Sequence, residues 1–196
     1  MALLQRVLRN LLFMLPGMAA ALALYLGLLP WRRRRLEKRG LMSSRRREIG
    51  LMLLFLFSGG MAALTLCPEP GWLFFGLQGD WTPYFDLWGL EYRVSLIPFS
   101  DLDSAFNVIG NIVMFLPFGF FAALLWRGWN GKRALALGAG ITFFIECWQL
   151  LVGRTSDIDD IIFNTLGVVC GYLLWRLLEM VAPRFAKKFH VTESLI

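Results

Sequence analysis

The chain has 196 residues, of which 57% are hydrophobic and 15% aromatic, and its mean hydropathy is +0.58. This composition excludes an ordinary water-soluble domain, because the surface of such a domain must be largely polar. The net charge of +6 does not indicate a nucleic-acid-binding protein, since the basic residues occur in short blocks between apolar runs. A helix needs about 20 apolar residues to cross about 30 Å of hydrocarbon, so the chain has room for about five spans.

Five apolar runs follow one another, each close to the length of a membrane helix: residues 10–30, 49–67, 107–126, 134–152 and 160–178. Pro16 and Pro117 fall inside two of the runs. We expect kinks at these prolines rather than breaks, because neighbouring helices can satisfy the freed carbonyl groups. The pattern predicts an all-α, polytopic membrane protein, a single membrane domain over residues 1–196 that begins with a helical pair at about 10–67.

The distribution of lysine and arginine predicts the orientation of the spans. Nine of these residues lie in the tract between the first two runs, which should therefore be cytoplasmic. Alternation of the spans then places 16 of the 20 basic residues on the cytoplasmic side. We predict a multi-pass protein of the bacterial cytoplasmic membrane, with its N-terminus outside and its C-terminus in the cytoplasm.

The connection between the second and third runs is long and rich in aromatic residues. It extends from Pro68 to Phe106 and contains Trp72, Phe74, Phe75, Trp81, Tyr84, Phe85, Trp88 and Tyr92. Such rings favour the headgroup region, which predicts an aromatic belt on the outer membrane surface. The alternative is a cap or binding platform over a site.

Polar residues within apolar runs are costly in a membrane, and here they lie near the predicted outer ends of three runs. They form pairs that share one helix face: Asn107 with Asn111, Glu146 with Gln149, and Asp160 with Asn164. At 1.5 Å per residue, Glu146 lies about 9 Å inside its helix end, and Asn111 and Asn164 lie about 6 to 8 Å inside theirs. This common depth predicts a polar pocket that faces outward.

The connection GRTSDIDD, between the fourth and fifth runs, places Arg154, Asp157, Asp159 and Asp160 over this predicted pocket. Asp157 is suited to cap the fifth helix. Carboxylates can act as general bases or hold a divalent cation, and an arginine can bind a phosphate at two points. The candidate catalytic residues are Glu146 and Asp159. The candidate ligand-binding residues are Asn107, Asn111, Gln149, Arg154, Asp160 and Asn164.

A plainer interpretation of these residues is a buried hydrogen-bond network that fixes the helices, with Arg154 paired to an aspartate. The sequence does not choose between this interpretation and a working site. It also leaves any cofactor or metal open, a divalent cation included.

Two segments, NVIGNIVMFLPFGF and ECWQLLVGRTSDIDDIIFNTLG, resemble the VanZ-like family of bacterial membrane proteins. The resemblance covers about residues 90–178, and one departure is Ser95, where relatives often carry asparagine. It implies a role in the cell envelope associated with low-level resistance to teicoplanin and related lipoglycopeptides.

Three hypotheses for function follow. The first is an envelope protein whose pocket binds a lipid-linked or anionic envelope component, with membrane lipids or a lipid-linked cell-wall precursor as partner and no nucleic acid. The second is a membrane hydrolase or transferase that acts on a lipid-linked phosphate. The third is a structural or assembly partner without a ligand.

Overall fold

In a computed structural model, the described residues are 2–66, 93–99, 105–151 and 154–193. Within them, five helices are long and apolar enough to cross a membrane, which confirms the all-α, polytopic prediction. The five are α1 (Ala2–Glu37), α2 (Arg45–Leu66), α3 (Ala105–Leu125), α4 (Gly131–Leu151) and α5 (Ile158–Val181). A short helix α6 (Pro183–Ala186) and a 3-10 turn (Lys187–Phe189) follow α5.

Helices α1 and α3 continue through Pro16 and Pro117, as the sequence predicts. Helix α1 is considerably longer than the apolar run within it, because the helix begins at Ala2 and also extends into the arginine tract. The eight aromatic residues between Trp72 and Tyr92 lie outside the described residues, so the aromatic belt stays a prediction.

The first two helices form a hairpin that packs through glycines. A Cβ atom added at Gly17 would collide with the carbonyl group of Gly59, so the two backbones approach each other directly. Near the other end of the hairpin, the Tyr25 hydroxyl donates to Glu48 Oε2 over 2.7 Å, and Arg32 forms an ion pair with Glu48 at 3.0 Å. These contacts fix how α1 lies on α2.

Helices α3 and α5 are in the closest contact within the bundle. A Cβ atom at Gly119 would collide with the carbonyl oxygen of Val168, and one at Gly171 with that of Leu116. Without side chains at these positions the backbones can pack at short range, which is how helices associate in lipid. The small residues on these two faces therefore form the contact.

Helix α4 packs mainly against α5. A Cβ atom at Gly138 would lie only 3.0 Å from the Thr165 Cα atom, and Ala134 and Thr142 on the same face are fully buried. The core beneath the candidate site contains Phe115 and Val168. The hairpin of α4 and α5 is thus held rigidly below its connection.

Two short strand pairs lie at opposite ends of the bundle. β1 (Leu41–Met42) pairs antiparallel with β4 (Thr192–Glu193), and β2 (Val94–Ser95) pairs parallel with β3 (Ser156–Asp157). The second pair sets Ser95 opposite Asp157 and so places the segment before α3 against the α4–α5 connection. Arg154 lies in that connection, and the helices on either side of it carry Glu146, Gln149, Asp159, Asp160 and Asn164.

Candidate functional site

The candidate site is built around the end of α4 and the start of α5. Four of its predicted side chains, those of Glu146, Gln149, Asp159 and Asn164, are between 3% and 6% exposed. Burial of so many polar groups requires that each find partners, since an unsatisfied buried group is costly. The partners of these four side chains come from other elements of the structure.

Glu146 binds the α4–α5 connection itself. Its Oε2 atom accepts from the backbone N–H of Asp157 over 3.1 Å, and its carboxylate also hydrogen-bonds the Ser156 side chain. The sequence predicts only that Glu146 lies at the same depth as Asn111 and Asn164. Because the connection folds back over α4, the backbone N–H of Asp157 lies within hydrogen-bond distance of the Glu146 carboxylate.

The two asparagines nearest Glu146 in depth pair with separate partners. Asn111 Nδ2 donates to Asp160 Oδ1 and thereby links α3 to α5. Asn164 Nδ2 donates to Thr142 Oγ1 over 3.0 Å and links α5 to α4. Thr142 is not among the site residues predicted from sequence, although its position four residues before Glu146 on the same helix face was a usable signal.

Asp159 is held by the segment that precedes α3. Its Oδ1 atom accepts from the backbone N–H of Phe99 over 2.6 Å. Phe99 has φ 62°, a left-handed conformation that is unusual for a residue other than glycine. Asp157 caps α5 as predicted, since its Oδ1 accepts from the Asp159 N–H over 2.9 Å. Sequence reasoning gave no signal for the role of Phe99.

Arg154 and Gln149 turn towards α2. Arg154 Nη1 donates to the carbonyl oxygens of Leu64 and Thr65 at 3.4 and 3.2 Å, and Gln149 Nε2 donates to that of Thr65 at 3.2 Å. In the described part of the chain, ion pairs are formed by Arg32 with Glu48 and by Arg176 with Glu179, so Arg154 is not paired there with an aspartate.

The remaining predicted residue, Asn107, lies exposed in the first turn of α3, one turn before Asn111. The predicted set therefore occupies one end of the bundle, with Glu146, Asp159, Asp160, Asn111 and Asn164 on the α3, α4 and α5 side. The charge of Arg154 is near enough to act on Glu146 and Asp160.

Two oxygen atoms of this site have no hydrogen-bond partner among the described residues. They are Asp159 Oδ2 and Asn164 Oδ1, and both atoms are buried. Both are acceptors, so the site has capacity for hydrogen-bond donors or a cation. No group of three or more His, Cys, Asp or Glu side chains is arranged to hold a metal ion within residues 2–66, 93–99, 105–151 and 154–193.

Comparison with known proteins gives one family and one curated relative. Residues 70–179 match the VanZ/LLP1 family. Protein VanZ of Enterococcus faecium is 30% identical over 124 residues, which cover 62% of this chain and 75% of that protein. No solved structure matches the chain. The matched range includes every candidate site residue and excludes α1 and α2.

Proposed function

Because the chain belongs to the VanZ/LLP1 family, we propose that it is a membrane protein of the cell envelope whose buried polar site faces outward and binds a lipid-linked envelope component. Occupation of this site would change the chemistry of the cell surface and lower susceptibility to teicoplanin-type antibiotics. The N-terminus would lie outside and the C-terminus in the cytoplasm.

The observation that carries the proposal is the pair of buried acceptors, Asp159 Oδ2 and Asn164 Oδ1, for which the described residues offer no donor. Leaving a buried polar group unsatisfied costs about 1 to 3 kcal/mol, so a ligand that supplies donors gains that energy when it binds. Hydroxyl and ammonium groups, which are common in lipid-linked envelope components, are suitable donors.

The charges around the site favour the same class of ligand. Glu146, Asp159 and Asp160 provide three carboxyl groups at this end of the bundle, and Arg154 is the cation whose charge acts on Glu146 and Asp160. A bare phosphate would be repelled by the carboxylates. An anionic component would therefore need Arg154 at the edge of the site or an accompanying divalent cation, whereas a sugar or amine could bind directly.

The proposed orientation is supported by the position of the basic residues in the bundle. The arginine run 32–35 at the end of α1 and the basic start of α2 lie at the end opposite the α4–α5 connection. If the basic end is cytoplasmic, as the positive-inside rule requires, the site opens on the other side of the membrane.

A second candidate function is an enzyme, a hydrolase or transferase acting on a lipid-linked phosphate. The observation that favours it is the backbone of Phe99, whose left-handed conformation is sparsely populated and costs about 1 to 3 kcal/mol. Such strain is concentrated at functional sites, and here it directs an N–H group at Asp159. An oriented carboxylate suits a general base, with Asp159 or Glu146 in that role.

The test compares variants that remove a charge but keep its shape, namely Glu146→Gln and Asp159→Asn. For a ligand site or a general base, these variants should melt like the parent protein in detergent yet lose the change in teicoplanin susceptibility. Asp157→Asn is the matched control, because asparagine caps a helix as well as aspartate does. If all three variants melt and behave like the parent, the polar residues only tie the helices together.

A retained ligand separates binding from catalysis. Native mass spectrometry of the parent protein should detect a bound envelope lipid that is missing in Asp159→Asn if the protein is a binder. An enzyme should instead release phosphate from a lipid-linked phosphate, and Glu146→Gln or Asp159→Asn should abolish that release. If neither a retained lipid nor phosphate release is detected, a structural role is the remaining explanation.

A further inference from the structure

A cavity of about 580 Å³ lies in the other half of the bundle, away from the candidate site. Its walls come from three spans, with Leu54 on α2, Phe118 on α3 and Leu137 on α4. The volume falls within the range of about 300 to 1,000 Å³ that is typical of small-molecule pockets. The cavity exists because α4 packs mainly on α5 and leaves space beside α2 and α3.

The polar end of this cavity is formed by the short connection between α3 and α4. Arg127 and Arg133, which are both exposed, line it there together with Trp126 and Trp129. Arg133 Nη1 donates to the Gly128 carbonyl oxygen over 2.5 Å, which holds the guanidinium at the mouth. Among the residues described as lining the cavity, none carries a carboxylate.

The cavity matches both parts of a membrane lipid, the acyl chain and the charged headgroup. The apolar walls lie within membrane-spanning segments, where the surrounding solvent is hydrocarbon and an acyl chain enters without loss of hydration. Arg127 lies just beyond the end of α3 and Arg133 in the first turn of α4, at headgroup level, where tryptophan is also favoured. Trp129 Nε1 is buried without a hydrogen-bond acceptor among the described residues, so a headgroup oxygen could accept from it.

We propose that this cavity binds one anionic glycerophospholipid from the leaflet on the side of the α3–α4 connection. One acyl chain lies between α2, α3 and α4, and the phosphate-containing headgroup lies between Arg127 and Arg133. With the orientation proposed above, this leaflet is the cytoplasmic one. The two sites are on opposite sides of the membrane, so this lipid is distinct from the envelope component.

The test is native mass spectrometry of the purified full-length protein after equilibration with mixed micelles of phosphatidylglycerol and phosphatidylethanolamine. The parent should retain one phosphatidylglycerol in preference to phosphatidylethanolamine. Arg127→Gln combined with Arg133→Gln should lower that retention about tenfold, since each basic residue near a membrane surface attracts anionic lipid. The matched control is Arg45→Gln with Arg46→Gln, two exposed arginines outside the cavity lining, which should retain the lipid like the parent.

A second pair of variants tests the cavity rather than the charge. Ser58→Phe places a ring in the cavity and should lower lipid retention, whereas Leu53→Phe on the exposed face of α2 should not. The melting temperature of each variant in detergent reports folding, and the arginine variants decide the matter if Ser58→Phe does not fold. Undiminished retention in the Arg127 and Arg133 variant, or equal retention of both phospholipids by the parent, would overturn the proposal.

Discussion

The guanidinium of Arg154, in the connection between α4 and α5, donates to the carbonyl oxygen of Thr65 in the last turn of α2 over 3.2 Å. Helix α2 has no basic residue in its own last turn. Its terminal carbonyl groups and the negative end of its dipole therefore receive their partner from another hairpin. Trp148 Nε1 adds a bond to Leu66 O at 2.8 Å, so the family-matched part of the chain is joined here to the helical pair before it.

This contact predicts that Arg154→Ala destabilises the protein. A hydrogen bond to a charged group contributes about 1.5 to 3 kcal/mol, and removing the guanidinium leaves the carbonyl groups of Leu64 and Thr65 with fewer donors. Thermal melting in detergent measures the effect. The control is Arg176→Ala, whose ion pair with Glu179 is exposed and contributes about 1 kcal/mol or less.

Equal melting temperatures for these two alanine variants would show that the α2 cap contributes no more than an exposed ion pair. Arg154→Lys sharpens the comparison, because lysine keeps the charge but not the planar fork of donors. We expect it to melt between the parent and Arg154→Ala. Gln149→Ala should lower the melting temperature as well, since its Nε2 atom shares the Thr65 carbonyl group.

The number of spans and the faces through which they pack could be predicted from sequence. Both depend on local properties, namely the length of an apolar run and the recurrence of small residues on one helix face. Gly119 and Gly171 do lie where α3 meets α5. The caps are local in the same way, and Asp157 begins α5 as its spacing predicts.

Hydrogen-bond partners within the candidate site could not be predicted from sequence, because they depend on tertiary placement. Glu146 accepts from the Asp157 N–H since the connection folds back over α4, and no periodicity encodes that fold. Arg154 reaches α2, about 90 positions earlier in the chain, and not a nearby aspartate. The left-handed backbone of Phe99 gives no sequence signal, because phenylalanine rarely adopts it.

The glycine contact between α3 and α5 predicts a large difference between two Gly→Ala variants. Gly171→Ala places a methyl group against the Leu116 carbonyl oxygen, so the two helices must separate and lose packing along their length. In Gly140→Ala the methyl group meets no atom within 4 Å. Alanine is favoured over glycine in a helix by about 0.5 to 1 kcal/mol, so this control should melt at or above the parent temperature.

Melting temperatures of the two purified variants in one detergent provide the comparison. We expect a reduction for Gly171→Ala of several degrees or more, together with lower yield from membranes. If Gly171→Ala were as stable as Gly140→Ala, the close approach of α3 and α5 in the structure would be incorrect.

Mild acid should weaken the packing of the C-terminal segment, residues 187–193, against the bundle. Burial and the nearby charge of Arg127, together with that of Arg47, lower the pKa of His190 below its usual value of 6.5, while Glu179 acts in the opposite direction. A histidine whose pKa is lower in the folded protein stabilises the fold above its unfolded pKa, and that contribution is lost as the pH falls through the folded pKa. The packing of the 3-10 turn should therefore weaken below about pH 6.5.

Hydrogen exchange of the backbone amides of residues 187–193 measures this weakening directly. Protection of these amides should decrease as the pH is lowered from 7.5 to about 5, after correction for the intrinsic pH dependence of exchange. His190→Gln removes the titration, and in that variant protection should be the same at both pH values. Identical pH dependence in the parent and in His190→Gln would assign the effect to another group.

The proposed orientation predicts which loops react with a membrane-impermeant thiol reagent in intact cells. Thr155 in the α4–α5 connection is exposed, whereas the neighbouring Ser156 is buried, so Thr155→Cys is the suitable reporter for the outer side. Arg39→Cys, exposed between α1 and α2, is the matched reporter for the cytoplasmic side. The native residues Cys67, Cys147 and Cys170 are first replaced by alanine, since Cys147 is exposed and would give a background.

We expect the cysteine at position 155 to react in intact cells and the one at position 39 to react only after the membrane is opened. The reason is that 16 of the 20 basic residues lie on the predicted cytoplasmic side, and translocating so many of them is strongly disfavoured. Labelling of both after permeabilisation shows that each thiol is reactive. Reaction at position 39 but not at position 155 in intact cells would reverse the proposed orientation, and the polar site around Glu146 would then face the cytoplasm.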